Sequence, residues 1–289
     1  IGSGMISRYQ TGILIIICIN IILAVSLNIT VGCLGQITIG HAGFMSVGAY
    51  AAALFSKAGI IDGLPGYITA LIIGGIVAGI VGIIIGIPAL RLNGDYLAII
   101  TLAFGEIIRV LIEYFKFTGG AQGLRGIPRT NSSFTVIYFV MVISVMMMFS
   151  LMTSRHGRAV LSIRDDEIAS GASGVNTTYY KTFAFTVSAI FAGVAGAVYA
   201  HHLGILGAKQ FDFNYSINIL TMVVLGGMGS FTGSILSAIA LTILPEVLRG
   251  FSDYRMIVYS LLLILTMIFR PTGLLGRKEF QITPIIKKF

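Results

Sequence analysis

Apolar residues run along this chain in long blocks separated by short polar or glycine-rich stretches. A membrane-spanning helix needs about 20 consecutive apolar residues. Residues 13–31, 67–90, 134–153 and 182–202 meet that requirement directly. Residues 37–55 form another run, interrupted by Gly40, Gly43 and Gly48 and carrying His41. Residues 96–115 form a run with charges inside it, and 217–228, 231–247 and 256–269 are shorter. The pattern predicts an all-α, polytopic membrane protein with 8–9 transmembrane helices, some of them broken or re-entrant. It divides the chain into an N-terminal segment (1–10), a transmembrane domain (11–276) containing a long polar loop (154–181), and a tail (277–289). No small-residue cleavage signal follows the first run, so it is expected to stay as a span.

Composition sharpens this picture. Hydrophobic residues make up 56% of the chain and charged residues 10%, where a soluble domain carries about 25% charged residues. That excludes a soluble globular protein, and it excludes disorder, which needs low hydrophobicity. The 36 glycines favour helices packed closely through small residues. The net charge of +8 falls between and after the apolar runs, where the positive-inside rule places it, so no nucleic-acid partner is expected. The loop 154–181 and the tail carry the densest basic charge and are placed in the cytoplasm. By alternation, 91–95 is internal, and 116–133, 201–215 and 249–255 are external. The N-terminus is external only if 37–55 crosses completely. Cys18 and Cys33 read as small buried hydrophobes, and no zinc-ligand spacing is present. No cofactor is expected. There is no G-x-x-x-x-G-K-[ST], so the chain carries no P-loop, and any ATP-driven work needs a partner.

Three groups of residues carry candidate chemistry. The centre of the polar loop, 158–173, is predicted to form one amphipathic helix, with Val160, Ile163, Ile168 and Ala172 on an apolar side and Asp165, Asp166 and Glu167 opposite. Gly174 is its expected stop, and Asn176 or Thr177 the cap of the next helix. An acidic polar face points to a docked protein rather than to anionic lipid. The second group is a pair of glycine-interrupted stretches, 32–48 and 226–233, which loosely echo each other. Broken helices at membrane depth often line substrate paths, so Gln36, Thr38, His41, Gly43, Gly226, Gly227 and Gly229 are candidates for the pathway, with Ser230 and Thr232 nearby. For His41 a structural hydrogen bond is the alternative to a proton relay. The third group is Glu106, Arg109 and Glu113, spaced to share one helical face. Glu106 lies about 16 Å past Asp95 at 1.5 Å per residue, deep enough that it must pair with Arg109 or face water. It then either lines a pathway or forms an interfacial ion pair. His201, His202, Lys209 and Asp212 read as a solvated external loop or a docking patch. Tyr179, Tyr180 and Lys181 read as interfacial anchors.

Several of these stretches carry a resemblance. The run from Arg155-His-Gly-Arg158 through Arg164-Asp-Asp-Glu-Ile-Ala169 to Gly174-Val-Asn-Thr-Thr-Tyr-Tyr-Lys181 resembles the coupling loop of branched-chain amino acid ABC importer permeases, the M-type (LivM-like) subunit in particular. Leu34-Gly-Gln-Ile-Thr-Ile-Gly-His-Ala-Gly-Phe44, the run from Leu90 to Glu106, Thr118-Gly-Gly-Ala-Gln-Gly-Leu124, Leu225-Gly-Gly-Met-Gly-Ser230 and Pro271-Thr-Gly-Leu-Leu275 are similar to family stretches in the same order. Glu167 and Gly174 stand one residue further apart than in the general Glu-Ala-Ala-x-x-x-Gly motif of ABC permeases. The resemblance implies an ABC importer permease fold in a bacterial inner membrane. It also implies a second homologous permease, two cytoplasmic ATP-binding subunits gripping the coupling helix, and an external substrate-binding protein. Leucine, isoleucine and valine are the implied substrates, with urea, another amino acid, a sugar or a nucleoside as alternatives. A stand-alone secondary transporter is the rival of a different class. A membrane-embedded enzyme finds no nucleophile–base pair in the sequence.

Overall fold

The computed structural model describes residues 8–92, 94–129 and 133–248, and positions 260, 264, 273, 274 and 276 beyond them. The expected span 256–269 and the tail 277–289 lie outside the described residues. Among the described residues, ten α-helices follow in order: α1 (Arg8–Asn28), α2 (His41–Lys57), α3 (Gly63–Ala89), α4 (Asp95–Tyr114), α5 (Phe134–Thr153), α6 (Arg155–Asp165), α7 (Glu167–Ala172), α8 (Thr177–Leu203), α9 (Phe213–Gly226) and α10 (Phe231–Val247). Two short strands, β1 (Leu124–Arg125) and β2 (Ile205–Leu206), pair antiparallel.

Among the described residues, four helices are long and apolar enough to cross a membrane: Tyr9–Cys33, Gly63–Ala89, Phe134–Thr153 and Thr177–Leu203. The count of 8–9 crossings is therefore not reproduced in this form. α4 has a span's length but carries four charged residues, Asp95 at its start and Glu106, Arg109 and Glu113 within it, and α2, α9 and α10 are shorter. The 14 residues of α9 cover about 21 Å, against a hydrocarbon core of about 30 Å.

α1 is the central post, with α5, α8, α9 and α10 packed round it. It is apolar on all sides, as a fully surrounded helix should be. Beyond it, α2, α3 and α8 form the densest cluster. Glycines explain the approach: a Cβ on Gly48 would run into the Gly193 backbone, and one on Gly74 would stand 2.8 Å from the Gly48 carbonyl oxygen. Without a hydrophobic force between helices in lipid, this close contact is a main source of association. Phe44 meets Phe185 edge-on at 5.4 Å, and Phe149 meets Phe231 at 5.7 Å, which pins α5 to α10. Cys18 and Cys33 are buried, as expected.

α8 sets the two ends of the molecule apart. Its first turn lies beside α7 and its last turn runs into β2. The β1–β2 ribbon therefore puts the loops around 124 and 205 at the end opposite the α6–α7 segment, consistent with the sides expected for them. His201, expected in a solvated loop, is instead buried inside α8. Its Nδ1 donates to the Ala197 carbonyl at 2.8 Å, which leaves Nε2 to accept from the Ser56 hydroxyl at 2.8 Å. The Tyr67 ring stands edge-on to it at 5.0 Å. It joins α2, α3 and α8, and docking by His201 is excluded. Asp212 is a helix cap, accepting from the Tyr215 N–H at 2.9 Å.

Candidate functional site

Both glycine-interrupted stretches are real breaks, and they meet. After Asn28 the first helix loosens into one π-turn, Ile29–Cys33, closed by the Leu34 N–H on the Ile29 carbonyl at 3.0 Å. The chain then runs without helical hydrogen bonds to His41, so the expected run 37–55 becomes a helix only from His41. α9 stops at Gly226, and α10 resumes at Phe231 with Ser230 as its N-cap. Between them Gly227 and Gly229 take φ of +110° and +94°, a backbone open to glycine and little else. α9 and α10 cross where a Cβ on Gly226 would stand 2.5 Å from the Gly233 carbonyl carbon.

Asn28 ties the two breaks together. Its Nδ2 donates to the Ser230 carbonyl at 3.0 Å and its Oδ1 accepts from the Gly229 N–H at 2.9 Å. The amide thus satisfies the Gly229 N–H, which the helix break would leave orphaned where water is scarce, and adds a bond to the Ser230 carbonyl beside those from Ser234. A Cβ on Gly32 would collide with the Asn28 amide and the Gly229 backbone. A third stretch joins them: the Leu274 N–H donates to the Leu225 carbonyl at 2.8 Å, with Gly273 against Gly227. Asn28 was missed in the sequence. An amide inside an apolar run was the available signal.

The other pathway candidates surround this junction. His41 is buried, and its Nε2 lies 2.8 Å from the Ser26 hydroxyl. That hydroxyl gives its single proton to the Leu23 carbonyl, so His41 is the donor. Thr38 is buried, and Gln36 holds an Oε1 with no hydrogen-bond partner among the described residues. Gly40 abuts the Thr101 carbonyl, and a Cβ on Gly43 would stand 2.9 Å from the Gly105 Cα. The Thr101 hydroxyl accepts from the Ile39 N–H at 3.1 Å. α4 is thus pressed against the first break one residue before Glu106.

On α4 the expected face exists. Arg109 Nε lies 2.7 Å from Glu106 and its Nη1 3.6 Å from Glu113. All three side chains are partly open, at 36%, 25% and 32% exposure for Glu106, Arg109 and Glu113. The set carries two carboxylates against one guanidinium. Separately, a cavity of about 280 Å³ opens between α1, α9 and α10, with Asn20, Asn218 and Thr242 among apolar Met222 and Leu241.

The polar loop departs most from expectation. The single helix predicted over 158–173 is two, α6 and α7, broken at Asp166. Asp166 is extended there (φ −158°), and its carboxylate accepts from the Ile168 and Ala169 N–H groups at 2.9 Å. An Asp suits an N-cap better than a helix interior, and that preference wins. Gly174 follows α7 at φ +86°, and Asn176 caps α8, both as expected. The acidic face is largely consumed internally. Asp165 lies 3.2 Å from Arg164, and Glu167 lies 2.6 Å from Lys181. Lys181 is buried and so does not anchor at an interface. Val160 and Ile163 are buried, but Ile168 is 86% exposed, and Ala169 and Ala172 stand out beside it. Arg158 is exposed and reaches back to the Thr153 carbonyl at 3.3 Å. Arg164 points inward, to the Gly32 carbonyl at 3.1 Å. Among the described residues no group of three His, Cys, Asp or Glu could hold a metal ion.

These features can be set beside known proteins. The family described as "Branched-chain amino acid transport system / permease component" matches residues 9–268. The chain belongs to this family. Its relatives include the high-affinity branched-chain amino acid transport system permease protein LivM of Salmonella typhimurium and that of Escherichia coli. Each is 38% identical over 273 residues, covering 83% of this chain and 63% of the relative. The chain thus spans less than two thirds of those relatives' length. LivH of Escherichia coli, a permease protein of the same named system, is 31% identical over 130 residues, 44% of this chain and 42% of its own. The family and the apolar helices make this a multi-pass membrane protein.

Proposed function

We propose that this chain is one of two membrane-spanning permease subunits of an ATP-driven ABC importer for branched-chain amino acids. Its partners are a second, LivH-like permease, two cytoplasmic ATP-binding subunits that receive the α6–α7 corner, and an external binding protein that delivers leucine, isoleucine or valine. The complex sits in a bacterial inner membrane. Family membership across 9–268 carries the reading. The geometry supports it, because the α6–α7 corner presents an apolar knob, Ile168, beyond the membrane helices and is physically joined to the helix breaks behind it. Similarity to both a LivM and a LivH protein supports a pair of homologous permeases. ATP hydrolysis falls to the partners.

Two readings divide the α4 face: a lining of the path between the permeases, or an ion pair that seals their interface. Its partial exposure and its contact with the first break favour the path. A stand-alone secondary transporter would use Glu106 as an ion carrier. The Glu106–Arg109 pair at 2.7 Å opposes that role.

Gentle purification from the native membrane, followed by mass spectrometry and uptake in vesicles, tests the proposal. Copurification of two ATPases and a second permease, with leucine uptake that needs ATP, is expected. A chain isolated alone that takes up solute under an ion gradient, and loses that uptake in Glu106→Gln, overturns it.

A further inference from the structure

The Arg164 side chain is threaded between three glycines. A Cβ on Gly35 (φ +77°) would stand 2.7 Å from Arg164 Cγ, and one on Gly229 would stand 3.2 Å from its Nη1. Nη1 donates to the Gly32 carbonyl at 3.1 Å. That carbonyl lies in the last turn of the π-segment, where no intrahelical donor follows and a cation complements the helix dipole. Asp165 Oδ1 accepts from Arg164 Nε and Nη2 at 3.3 and 3.2 Å, which holds the guanidinium flat against its target. One side chain of α6 therefore touches both breaks, α1–α2 through Gly32 and Gly35, and α9–α10 through Gly229. On the other side of the Asp166 corner, Glu167 holds Lys181 of α8 at 2.6 Å. Beside the buried Val160 and Ile163 and the local Arg158 bond to the Thr153 carbonyl, the corner is tied to sequence-distant helices by the Glu167–Lys181 pair and the Arg164 bond. Of these two, the Arg164 bond ends where the helices are interrupted.

We infer that Arg164 is the positioning residue through which a displacement of the α6–α7 corner reaches the crossing of the two helix breaks. The inference rests on the importer reading and adds to it the atom-level link. A guanidinium fixed to Asp165 behaves as part of α6. When an ATPase moves the corner, the bond to the Gly32 carbonyl pulls on the π-turn, and the Asn28 amide relays that pull to the Gly229–Ser230 turn. Arg164 does not touch the ATPase in this scheme. Removing it leaves docking intact and disconnects the drive from the path.

The test uses the whole importer, with all its subunits, in proteoliposomes. Assembly, ATP hydrolysis and leucine uptake are measured for wild type, Arg164→Ala and Arg164→Lys. Arg164→Ala is expected to assemble and hydrolyse ATP while the ATP consumed per leucine rises about tenfold, within the range for mutations along a coupling route. Arg164→Lys keeps the charge but loses the fork and is expected to fall in between. An unchanged ratio in an assembled Arg164→Ala complex overturns the inference, whether both rates fall together or neither does. If Arg164→Ala fails to assemble, the ratio in Arg164→Lys decides in the same way. Gly35→Ala, which displaces the arginine stem, is the independent check and is expected to raise the ratio as well. A wild-type complex whose uptake ignores ATP overturns the importer reading itself and is thereby distinguishable from failure of the link.

Discussion

Asn28 shows how much a single amide can hold at membrane depth. It is fully buried, and both ends of its side chain are used on backbone groups of the second break. Asn28→Ala would strand the Gly229 N–H, while the Ser230 carbonyl keeps its bonds from the Ser234 N–H and hydroxyl. A cost of about 1–3 kcal/mol is expected from leaving that buried donor unpaired, read as a lower midpoint for thermal unfolding in detergent. An unchanged midpoint would mean that water already serves that donor. Glycines allow a sharper comparison. Gly48→Ala would push a methyl into the Gly193 backbone, while none of the described residues lies within 4 Å of a Cβ on Gly12. Overpacking at Gly48 is expected to cost about 1–3 kcal/mol, whereas Gly12→Ala gains up to about 1 kcal/mol of helix propensity. Sequence reading found the glycine-rich breaks but not Asn28, because periodicity records which residues are apolar and says nothing about which distant backbone a lone amide will meet. It likewise put His201 at the solvated end of the 182–202 run, since spacing along the chain does not show that Ser56 and Tyr67 close over that ring.

At the scale of elements, the α6–α7 corner is where local preference overruled the amphipathic pattern. The apolar spacing over 158–173 is compatible with one helix, but Asp166 caps a new one, and the turn it makes exposes Ile168. Ile168→Glu is therefore expected to abolish capture of the ATP-binding subunits in a pull-down while the chain stays folded. Retained capture would return attention to the acidic side chains. The Glu167–Lys181 bridge is lopsided: the lysine side chain is 6% exposed and the glutamate 44%. Glu167→Ala strands a buried ammonium and is expected to cost about 3 kcal/mol. Lys181→Met leaves a carboxylate that water can reach and should cost much less. Equal losses in unfolding experiments would show that Lys181 reaches water once its partner is gone. The α4 helix was legible down to its face, because three charges in an apolar run have few places to go.

For the whole molecule, the outward apolar faces differ in the charge they carry. α4 and α5 carry large apolar side chains outward, Ile107 and Tyr114 on one, Phe139 and Met146 on the other, but only α4 adds charges among them. Single cysteines replacing Glu106 or Glu113 are expected to react with a water-soluble thiol reagent in the isolated chain, with reaction altered when the second permease is present. A cysteine replacing Phe139 should stay unreactive in lipid, and the buried Cys18 and Cys33 keep the background low. Identical labelling with and without the partner would place the α4 face away from the subunit contact. The helical class and the two breaks were evident from hydropathy and glycine spacing. Their meeting was not, because it depends on packing between residues 202 apart. That separation also bears on how the protein is made. α1, carrying Asn20 and Asn28, is made well before their partners, Thr242 of α10 and its cap Ser230. At about 5–20 residues per second, the first helix waits on the order of 10–40 s for them. During that interval it rests in the bilayer with amides whose partners are still to be made. A nascent chain cut before α10 would keep those amides unmet, so α10 decides whether α1 is kept.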